Sequence, residues 1–280
     1  DGYHTYRIPS LLTTPGGAVL AICEGRRDSS SDTGAIDLVC RRSEDGGVSW
    51  GPVEVIAADG PHTMGNPCPV VDRDTGTIWL PITRNLGHDA ESRIIDGTSE
   101  GTREVWMCHS TDDGLTWSRP VEVTQTTKRP EWTWYATGPG VGIQLDSGRL
   151  VVPCDFVEAG SKLHGSHIIY SDDHGESWRL GGVVGAEVNE CQVIQREDMA
   201  LLINMRNHDG RTGPHYRATA VSTDEGMTWS EVGHDDVLVE PVCQASLLRY
   251  TSLVGHGRSR VLFCNPAGVA RERMTVRLSY

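Results

Sequence analysis

The sequence predicts an all-β fold of the propeller type, and two observations support this prediction. First, a pattern of eight residues, Ser-x-Asp-x-Gly-x-Ser/Thr-Trp, occurs four times, beginning at Ser43, Ser110, Ser171 and Ser222. Second, short apolar runs alternate with turn clusters along the chain, and sustained helical periodicity is hard to find. The copies of the pattern recur at intervals of roughly 50–70 residues, which accommodate about four short strands. One such group of strands is one blade of a propeller.

Each residue type in the repeated pattern has a structural reason. The Asp carboxylate can accept hydrogen bonds from nearby backbone N–H groups and so fix a tight turn. The Gly can adopt a backbone conformation that is closed to other residues. The Trp can bury a large ring against the sheet. The pattern therefore predicts a structural turn, one for each repeat, that carries no catalysis itself.

Strands are predicted where apolar runs are bounded by turn residues. The clearest runs are residues 18–22, 36–40, 150–153, 166–170, 201–203 and 261–263. Four turns predict at least four blades, and the C-terminal residues 276–280 repeat the strand and Ser that open a fifth copy. Because a closed propeller needs its last blade to meet its first, we expect an open or incomplete ring that missing residues or a partner chain complete.

Length and charge restrict the function classes. The chain has 280 residues and no linker or low-complexity tract, so we expect a single domain over residues 1–280. The formal net charge of −13 argues against nucleic acid as a partner. It does not exclude an anionic small molecule, because the binding of such a ligand depends on local clusters of Arg. No apolar run approaches the roughly 20 residues that a membrane-spanning helix needs.

The cysteines and histidines indicate neither a disulfide framework nor a metal site. The 8 Cys are scattered without a Cys-x-x-Cys pair, mostly in apolar runs, which predicts buried free thiols and favours a reducing compartment. The 11 His show no spacing typical of metal ligands, so no metal or other cofactor is predicted. The chain begins with Asp1 and shows no signal-like segment, so we expect a fragment or a processed form, truncated at the C-terminus and at the N-terminus.

Three arginines lie at the ends of predicted strands, where an all-β fold presents its loops. Arg7 precedes Ile8 and Pro9, Arg206 ends the run 201–205, and Arg271 precedes the strand 274–278. A single Arg in such a place is usually a solvated charge. Three that converge from three blades would instead form a cage for a carboxylate or a phosphate, because guanidinium groups present forked donors.

Two carboxylates are also candidates for chemistry. Asp32 lies in the polar loop 28–34 between two strands, where an ordinary turn Asp is the alternative interpretation. Glu190 stands at the start of an apolar strand, in the segment Asn-Glu-Cys-Gln. A carboxylate that enters a buried strand needs a partner or a raised pKa, so Glu190 is the less ordinary of the two.

Taken in order, four segments between the repeated turns resemble the sialidases, or neuraminidases, of the bacterial and animal type. These segments are Arg-Ile-Pro at 7–9, Arg-Arg-Asp-Ser-Ser-Ser-Asp at 26–32, Asn-Glu-Cys-Gln at 189–192 and Asn-Met-Arg at 204–206. The resemblance covers essentially the whole chain. It implies a six-bladed β-propeller whose C-terminal blade is truncated here. It also implies an exo-alpha-sialidase, a glycosidase that releases terminal sialic acid, so the expected partner is a sialylated glycan.

The resemblance assigns roles to individual residues. It makes Arg7, Arg206 and Arg271 the three arginines that grip the substrate carboxylate, with Arg273 as the alternative to Arg271. Arg26 matches a further substrate-contacting arginine, with Arg27 as the alternative. Asp32 matches the general acid/base, and Glu190 matches the carboxylate that activates a Tyr nucleophile. Asn66 and Asp155 lie in segments that resemble the linings of the N-acetyl and glycerol pockets, where a structural role is an equal alternative.

The implied mechanism suits the chemistry of the substrate. Sialic acid carries a carboxylate on its anomeric carbon, which a neutral phenol can approach more easily than a carboxylate can. A free phenol has a pKa near 10, so it needs Glu190 as a base. Asp32 would protonate the leaving oxygen and then activate water, and the two displacements retain configuration.

The sequence departs from the family at the nucleophile. The family's Tyr follows a fifth turn, and none of the 7 Tyr here has that context. We therefore expect little or no turnover from this chain alone. A non-catalytic carbohydrate-binding or scaffold propeller is one alternative, and it predicts that the three arginines do not converge. A trans-sialidase is another, because it shares every residue named here.

Overall fold

The computed structural model describes residues 2–185, 187–208 and 215–280. Within these ranges the chain forms 21 strands and three short helices, so the prediction of an all-β fold is confirmed. The helices are α1 (Glu91–Asp96), α2 (Thr124–Thr127) and α3 (Leu253–His256). None of the described helices is long and apolar enough to cross a membrane.

The strands fall into five consecutive groups, each of which runs up and down in chain order. The first group is β1 (Thr5–Thr13), β2 (Val19–Arg26), β3 (Ile36–Ser43) and β4 (Glu54–Ala57). The second is β5 (Thr63–Gly65), β6 (Val70–Val71), β7 (Ile78–Asn85), β8 (Glu104–Ser110) and β9 (Val121–Glu122). The third is β10 (Trp132–Thr137), β11 (Ile143–Gln144), β12 (Leu150–Glu158), β13 (His164–Ser171) and β14 (Arg179–Val184). The fourth is β15 (Val188–Gln195), β16 (Leu201–Asn207), β17 (Tyr216–Ser222) and β18 (Gly233–Val239). The fifth is β19 (Ser246–Thr251), β20 (Arg260–Pro266) and β21 (Met274–Ser279).

Pairing within each group is antiparallel, as expected for blades. The first two groups are joined into one sheet by a single parallel bridge between Ile36 and Thr63. The other three groups are separate sheets. The first strand of the fourth group, β15, packs against β12 and β13 on one side and against β19 on the other. Successive groups therefore stack face to face.

The hydrophobic core is divided into clusters that lie between neighbouring groups. Leu20 and Leu38 of the first group meet Ile78 and Leu80 of the second. Comparable clusters join the second group to the third, the third to the fourth and the fourth to the fifth. Because every group buries its faces against its neighbours, the core itself holds the sheets in sequence around the site.

The four repeated turns occupy equivalent places, each between the third and fourth strand positions of its group. In the first, the Asp45 carboxylate accepts hydrogen bonds from Ser43 Oγ at 2.8 Å, from Ser49 N at 2.8 Å and from Ser49 Oγ at 2.6 Å. The bonds from Ser49 hold the pKa of Asp45 at about 2. The other three turns repeat this arrangement. The predicted turn structure is thus confirmed.

The other sequence expectations about packing are largely confirmed. Trp178 of the third turn is buried in the core, whereas the Trp of the other three turns are half-buried. All eight cysteines are free thiols, and five of them are buried. The fifth group leaves one face uncovered, since Met274, Val276 and Leu278 of β21 are 71%, 65% and 45% exposed.

Candidate active site

Side chains from all five strand groups line one cavity of about 660 Å³. Arg7 comes from β1, Asn66 follows β5, Asp155 lies on β12, Glu190 lies on β15, and Arg271 lies between β20 and β21. Residues far apart in the sequence meet here because each group contributes the same end of its strands. The cavity is therefore the place where the fold gathers its charged residues.

The three arginines that the sequence singled out all line this cavity. Arg7 Nη1 lies 3.1 Å from Asp32 Oδ1, and Arg206 Nη1 lies 2.8 Å from Glu190 Oε2. Arg271 Nη2 donates to the carbonyl oxygen of Val242 at 3.1 Å. A guanidinium group has five N–H donors. Since each of these contacts uses one nitrogen, donors remain that a bound anion can engage.

Arg271 and its sequence alternative Arg273 differ in their position relative to the cavity. Both residues are exposed, but Arg271 lines the cavity and Arg273 is not part of the lining. Arg273 has a φ of 57°, in the left-handed region, so the backbone changes direction just before β21 begins. The two side chains consequently leave the loop in different surroundings.

Asp32 is held by two arginines at the edge of the cavity. Its Oδ1 lies 2.7 Å from Arg26 Nη2 as well as 3.1 Å from Arg7 Nη1. The Arg26 side chain is only 2% exposed and also donates to Glu24 Oε2 and to the Ser30 carbonyl. Arg26 therefore lies behind Asp32 and Glu24, and in this geometry its direct contacts are with those carboxylates.

Arg27, the sequence alternative to Arg26, has a different ion-pair partner. Arg27 Nη2 lies 2.5 Å from Asp37 Oδ2, and its side chain is 49% exposed. Tyr3 donates a hydrogen bond to the same oxygen of Asp37 at 2.7 Å. Arg27 is thus committed to a separate ion pair outside the cavity.

A buried polar wall forms another side of the cavity and contains Asn66, Arg103 and Trp134. Asn66 Oδ1 accepts a hydrogen bond from Arg103 Nη1 at 2.7 Å, and Asn66 N donates to Glu24 Oε1 at 3.0 Å. The Arg103 guanidinium carbon lies 3.7 Å from the centre of the Trp134 ring, a cation–π contact. Burial lowers the pKa of Arg103. Arg103 Nε is buried and has no hydrogen-bond partner among the described residues.

Two further carboxyl groups line the cavity. Asp155 is 1% exposed, and burial followed by the negative charge of Glu190 raises its pKa well above the usual range. The pKa of Glu91, at the start of α1, is also raised, chiefly by desolvation. The cavity therefore combines arginines with two carboxyl groups whose pKa values are raised, one of them buried and the other exposed.

A buried ion pair supports the cavity from behind. Arg217 Nη1 lies 2.5 Å from Glu240 Oε2, and both side chains are completely buried. Arg217 also donates to the carbonyl oxygen of Cys243, which lines the cavity, at 2.8 Å. Glu240 accepts a hydrogen bond from Asn207 N, the residue that follows Arg206. This pair holds the backbone next to Arg206 through Asn207. It also holds Cys243, which follows the residue whose carbonyl oxygen Arg271 contacts.

No tyrosine lines the cavity in the part of the chain that the structure describes. Tyr135 stands between Trp134 and Ala136, which both line the cavity. Its own side chain is fully buried in the core beneath. A phenol that attacks a substrate in this cavity would have to come from elsewhere.

Comparison with known proteins identifies the family. The profile described as BNR repeat-like domain matches residues 17–280. The exo-alpha-sialidase of Aspergillus fumigatus is 36% identical over 100% of this chain, which covers 68% of that protein. The chain belongs to the sialidase family. Sialidase-4 of Homo sapiens is likewise 36% identical, over 88% of this chain and 54% of its own length.

Solved sialidase structures have the same fold. The Hadza microbial sialidase Hz136 superposes with a TM-score of 0.90 at 32% identity, over 100% of this sialidase chain and 57% of that chain. The sialidase of Trypanosoma rangeli superposes with a TM-score of 0.81 at 21% identity, over 99% and 47%, which shows a likeness of fold alone. The propeller-type architecture is therefore shared. This sialidase chain spans about half to two thirds of the length of these relatives.

Among the charged and aromatic residues that line the sialidase cavity, sequence reasoning missed Glu24, Glu91, Arg103 and Trp134. A signal existed for Glu24, because it precedes Arg26 by two residues on the same strand and therefore shares its face. A weaker signal existed for Glu91 and Arg103, since 18 residues separate β7 from β8 where a tight turn would suffice. Trp134 carried no such signal, because its sequence context is that of any aromatic residue in a strand.

Proposed function

We propose that this chain forms the substrate-binding cavity of an exo-alpha-sialidase that releases terminal sialic acid from glycoconjugates with retention of configuration. The observation that supports this most strongly is that Arg7, Arg206 and Arg271, from three strand groups, line one cavity together with Asp32 and Glu190. A scaffold or lectin-like propeller has no need of this combination. The curated relatives of this chain include proteins named exo-alpha-sialidase.

The three arginines bind the substrate carboxylate. Several guanidinium groups around one anion provide charge-assisted, forked hydrogen bonds that also fix the orientation of the sugar ring. Arg7 and Arg206 each have a carboxylate neighbour now, so an incoming carboxylate shares or replaces those contacts. Contacts that strengthen as the ring flattens in the transition state lower the barrier.

Asp32 acts as general acid and then as general base. Its exposed position at the cavity edge, with a side chain 50% exposed, leaves it accessible to the leaving oxygen and to water. When the substrate carboxylate occupies Arg7, Asp32 is released from that contact and keeps its contact with Arg26. Arg26 thereby holds Asp32 in place through both half-reactions.

Glu190 activates the nucleophile, which we propose to be a Tyr supplied by residues outside this sequence. The Glu190 carboxylate lies 2.8 Å from Arg206 and its side chain is 21% exposed, so one oxygen can face a phenol. A base in this position converts a weak nucleophile into a phenolate as it attacks. Glycosidases of this type use a Tyr in place of the usual second carboxylate.

A further strand group closes the ring beside the fifth group and completes a six-bladed propeller. The uncovered face of β21 carries the apolar side chains of Met274, Val276 and Leu278. At the other end of the sequence, Leu11 on β1 is 62% exposed. Apolar side chains at alternate positions of a strand are typical of a face that packs against another sheet.

Binding of an unsaturated sialic acid analogue to this chain, measured by isothermal titration calorimetry, tests the cavity without any need for turnover. We expect binding by the wild-type chain, and a loss of at least about 30-fold for Arg206→Ala, because a hydrogen bond to a charged group contributes about 2 kcal/mol or more. Arg196→Ala, in the same strand group but with its partner in Asp198, is the matched control and should bind normally. Absence of binding by a folded wild-type chain contradicts the proposal.

Turnover is tested separately with a fluorogenic sialoside. A longer chain that includes the residues following 280 should hydrolyse it, whereas this chain should show little or no turnover. Strong activity from this chain would place the nucleophile within residues 1–280. The transferase alternative is measured in the same assay by adding an acceptor sugar, and no feature of the described residues favours it.

A further inference from the structure

Asp155 is a carboxyl group inside the cavity that the proposed mechanism does not use. It lies on β12, paired with Ala136 on β10 and Ser166 on β13. Its side chain is 1% exposed, yet it forms part of the cavity lining. A buried polar group almost always has a hydrogen-bond partner, so the partner of Asp155 has to be identified.

The protein does not provide that partner among the described residues. Asp155 Oδ2 is fully buried and neither accepts nor donates a hydrogen bond among the described residues. Three donor atoms of its neighbours are directed elsewhere, and Arg103 Nε and Arg206 Nε, although unpartnered, form no hydrogen bond with Asp155. Arg206 Nη1 donates to Glu190, Arg103 Nη1 donates to Asn66, and Ser166 Oγ donates to the carbonyl oxygen of Asn189. A buried oxygen that lines a cavity and lacks a hydrogen-bond partner in the protein indicates that a bound ligand supplies the partner.

The charges around Asp155 favour its uncharged form. Burial is the largest cause of its raised pKa, and the carboxylates of Glu190 and Glu91 add to it. The positive charges of Arg103 and Arg206 oppose the rise but form no ion pair with Asp155. Cys154, Cys191 and Tyr135 also interact with Asp155, and burial raises the pKa of each, which favours their uncharged forms. A buried carboxylate without an ion pair is costly, and protonation avoids that cost.

We propose that Asp155 is a specificity-determining residue that binds the sugar as a neutral carboxyl group and donates a hydrogen bond to an uncharged oxygen of the substrate. This inference rests on the proposed function, which places a sugar acid in the cavity. The acceptor is a hydroxyl or an N-acyl carbonyl oxygen, because the arginines take the carboxylate. A neutral Asp155 also adds no negative charge to a cavity that has to attract an anion.

Two substitutions separate a neutral donor from the other roles that Asp155 could have. Asp155→Asn keeps the shape, the neutrality and an N–H donor, whereas Asp155→Ala removes the donor. We expect Asp155→Asn to bind an unsaturated sialic acid analogue within about 3-fold of wild type, and Asp155→Ala to bind it about 10-fold or more weakly. Since the oxygen has no protein partner, neither substitution should lower the melting temperature by more than a few degrees.

The pH dependence of binding gives a second readout. The pKa of Asp155 is raised, so the proton that it donates is present at low pH and is lost as the pH rises through that pKa. Wild-type affinity should therefore fall on the alkaline side, and Asp155→Asn should lack this part of the fall. A merely structural role would give the same pH profile in both proteins.

The outcomes are distinguishable from failure of the proposed function. If wild type binds the analogue and Arg206→Ala does not, the cavity is the binding site whatever Asp155 does. In that case, wild-type affinity in Asp155→Ala, or equal losses in Asp155→Asn and Asp155→Ala, overturns the inference about Asp155 alone. If the folded wild-type chain binds no analogue, the proposed function fails as well.

Discussion

Arg206 Nη1 donates a hydrogen bond of 2.8 Å to Glu190 Oε2, on the wall of the cavity. Glu190 lies on β15 and its side chain is 21% exposed, and Arg206 lies on the adjacent strand β16 with a side chain that is 16% exposed. Arg206 Nε is buried without a partner among the described residues. The pair thus couples the group that we assign to the substrate carboxylate with the group that we assign to the nucleophile.

Glu190→Gln separates these two assignments. The substitution keeps the size of the side chain but removes a negative charge beside Arg206, so the cavity becomes more attractive to an anion. We expect the unsaturated sialic acid analogue to bind this variant as tightly as wild type or a few-fold more tightly, by calorimetry. In a longer chain that hydrolyses the fluorogenic sialoside, the same substitution should reduce kcat by about 100-fold or more, because the general base is lost. A large loss of analogue affinity would mean that Glu190 itself binds the sugar.

Arg271 and Arg273 provide a matched pair of substitutions in one loop. Arg271 lines the cavity and Arg273 does not, so Arg271→Ala should weaken analogue binding by roughly 30- to 150-fold, the value of one hydrogen bond to a charged group. Arg273→Ala removes the same charge from the loop and should change affinity by about 2-fold or less. Equal losses in the two variants would show that the total charge of the loop matters rather than one contact.

The repeated turns and the apolar runs between them predicted the all-β fold, because both are local patterns with a physical cause. The Asp of each turn has its hydrogen-bond donors within four residues, as for Asp45 and Ser49, so the pattern fixes the structure wherever it occurs. The continuous apolar runs became strands because both faces of a central group are buried against its neighbours, as in β12 and β13. The number of blades, in contrast, depends on how sheets meet, which no single segment encodes.

The candidate site was only partly predictable, for reasons of register and of loop geometry. Arg26 and Arg27 are adjacent in the sequence, and their roles depend on which face of β2 turns towards the cavity; Arg26 shares that face with Glu24 and contacts Asp32. Arg103 stands at the end of a long connection, and its place over the Trp134 ring follows from the packing of two groups rather than from spacing. Resemblance to a family supplied the roles, which the bare pattern left open.

The repeated turns should contribute to stability through their carboxylates. In the fourth turn, Asp224 accepts hydrogen bonds from Ser222 Oγ, Thr228 N and Thr228 Oγ1. Asp224→Ala should lower the free energy of unfolding by about 1–2 kcal/mol, by analogy with a lost capping residue, whereas Thr223→Ala beside it should have little effect. The bond from Thr228 holds the pKa of Asp224 at about 2, below its unfolded value of 3.8. Its contribution is therefore present above pH 3.8 and is lost as the pH falls towards 2, which thermal melts at several pH values can check.

His167 should make the fold sensitive to mild acid. It is completely buried among Trp132, Tyr135 and Phe156, and burial lowers its pKa from 6.5 to about 3. The folded protein keeps His167 neutral, whereas the unfolded chain protonates it below pH 6.5, so stability is complete above pH 6.5 and falls as the pH drops towards 3.

Chemical denaturation across that window should show a loss of up to about 1.4 kcal/mol per pH unit from this one group. His167→Phe places another aromatic ring in these surroundings and should remove the contribution of His167 to the slope of stability against pH. The substitution also removes the hydrogen bond between His167 Nδ1 and the Ile168 carbonyl, so the absolute stability changes. His256→Phe is the matched control, because His256 is exposed whereas His167 is buried. An unchanged slope in His167→Phe would mean that the folded protein admits the protonated imidazole, and that the aromatic cluster around it opens to water below pH 6.5.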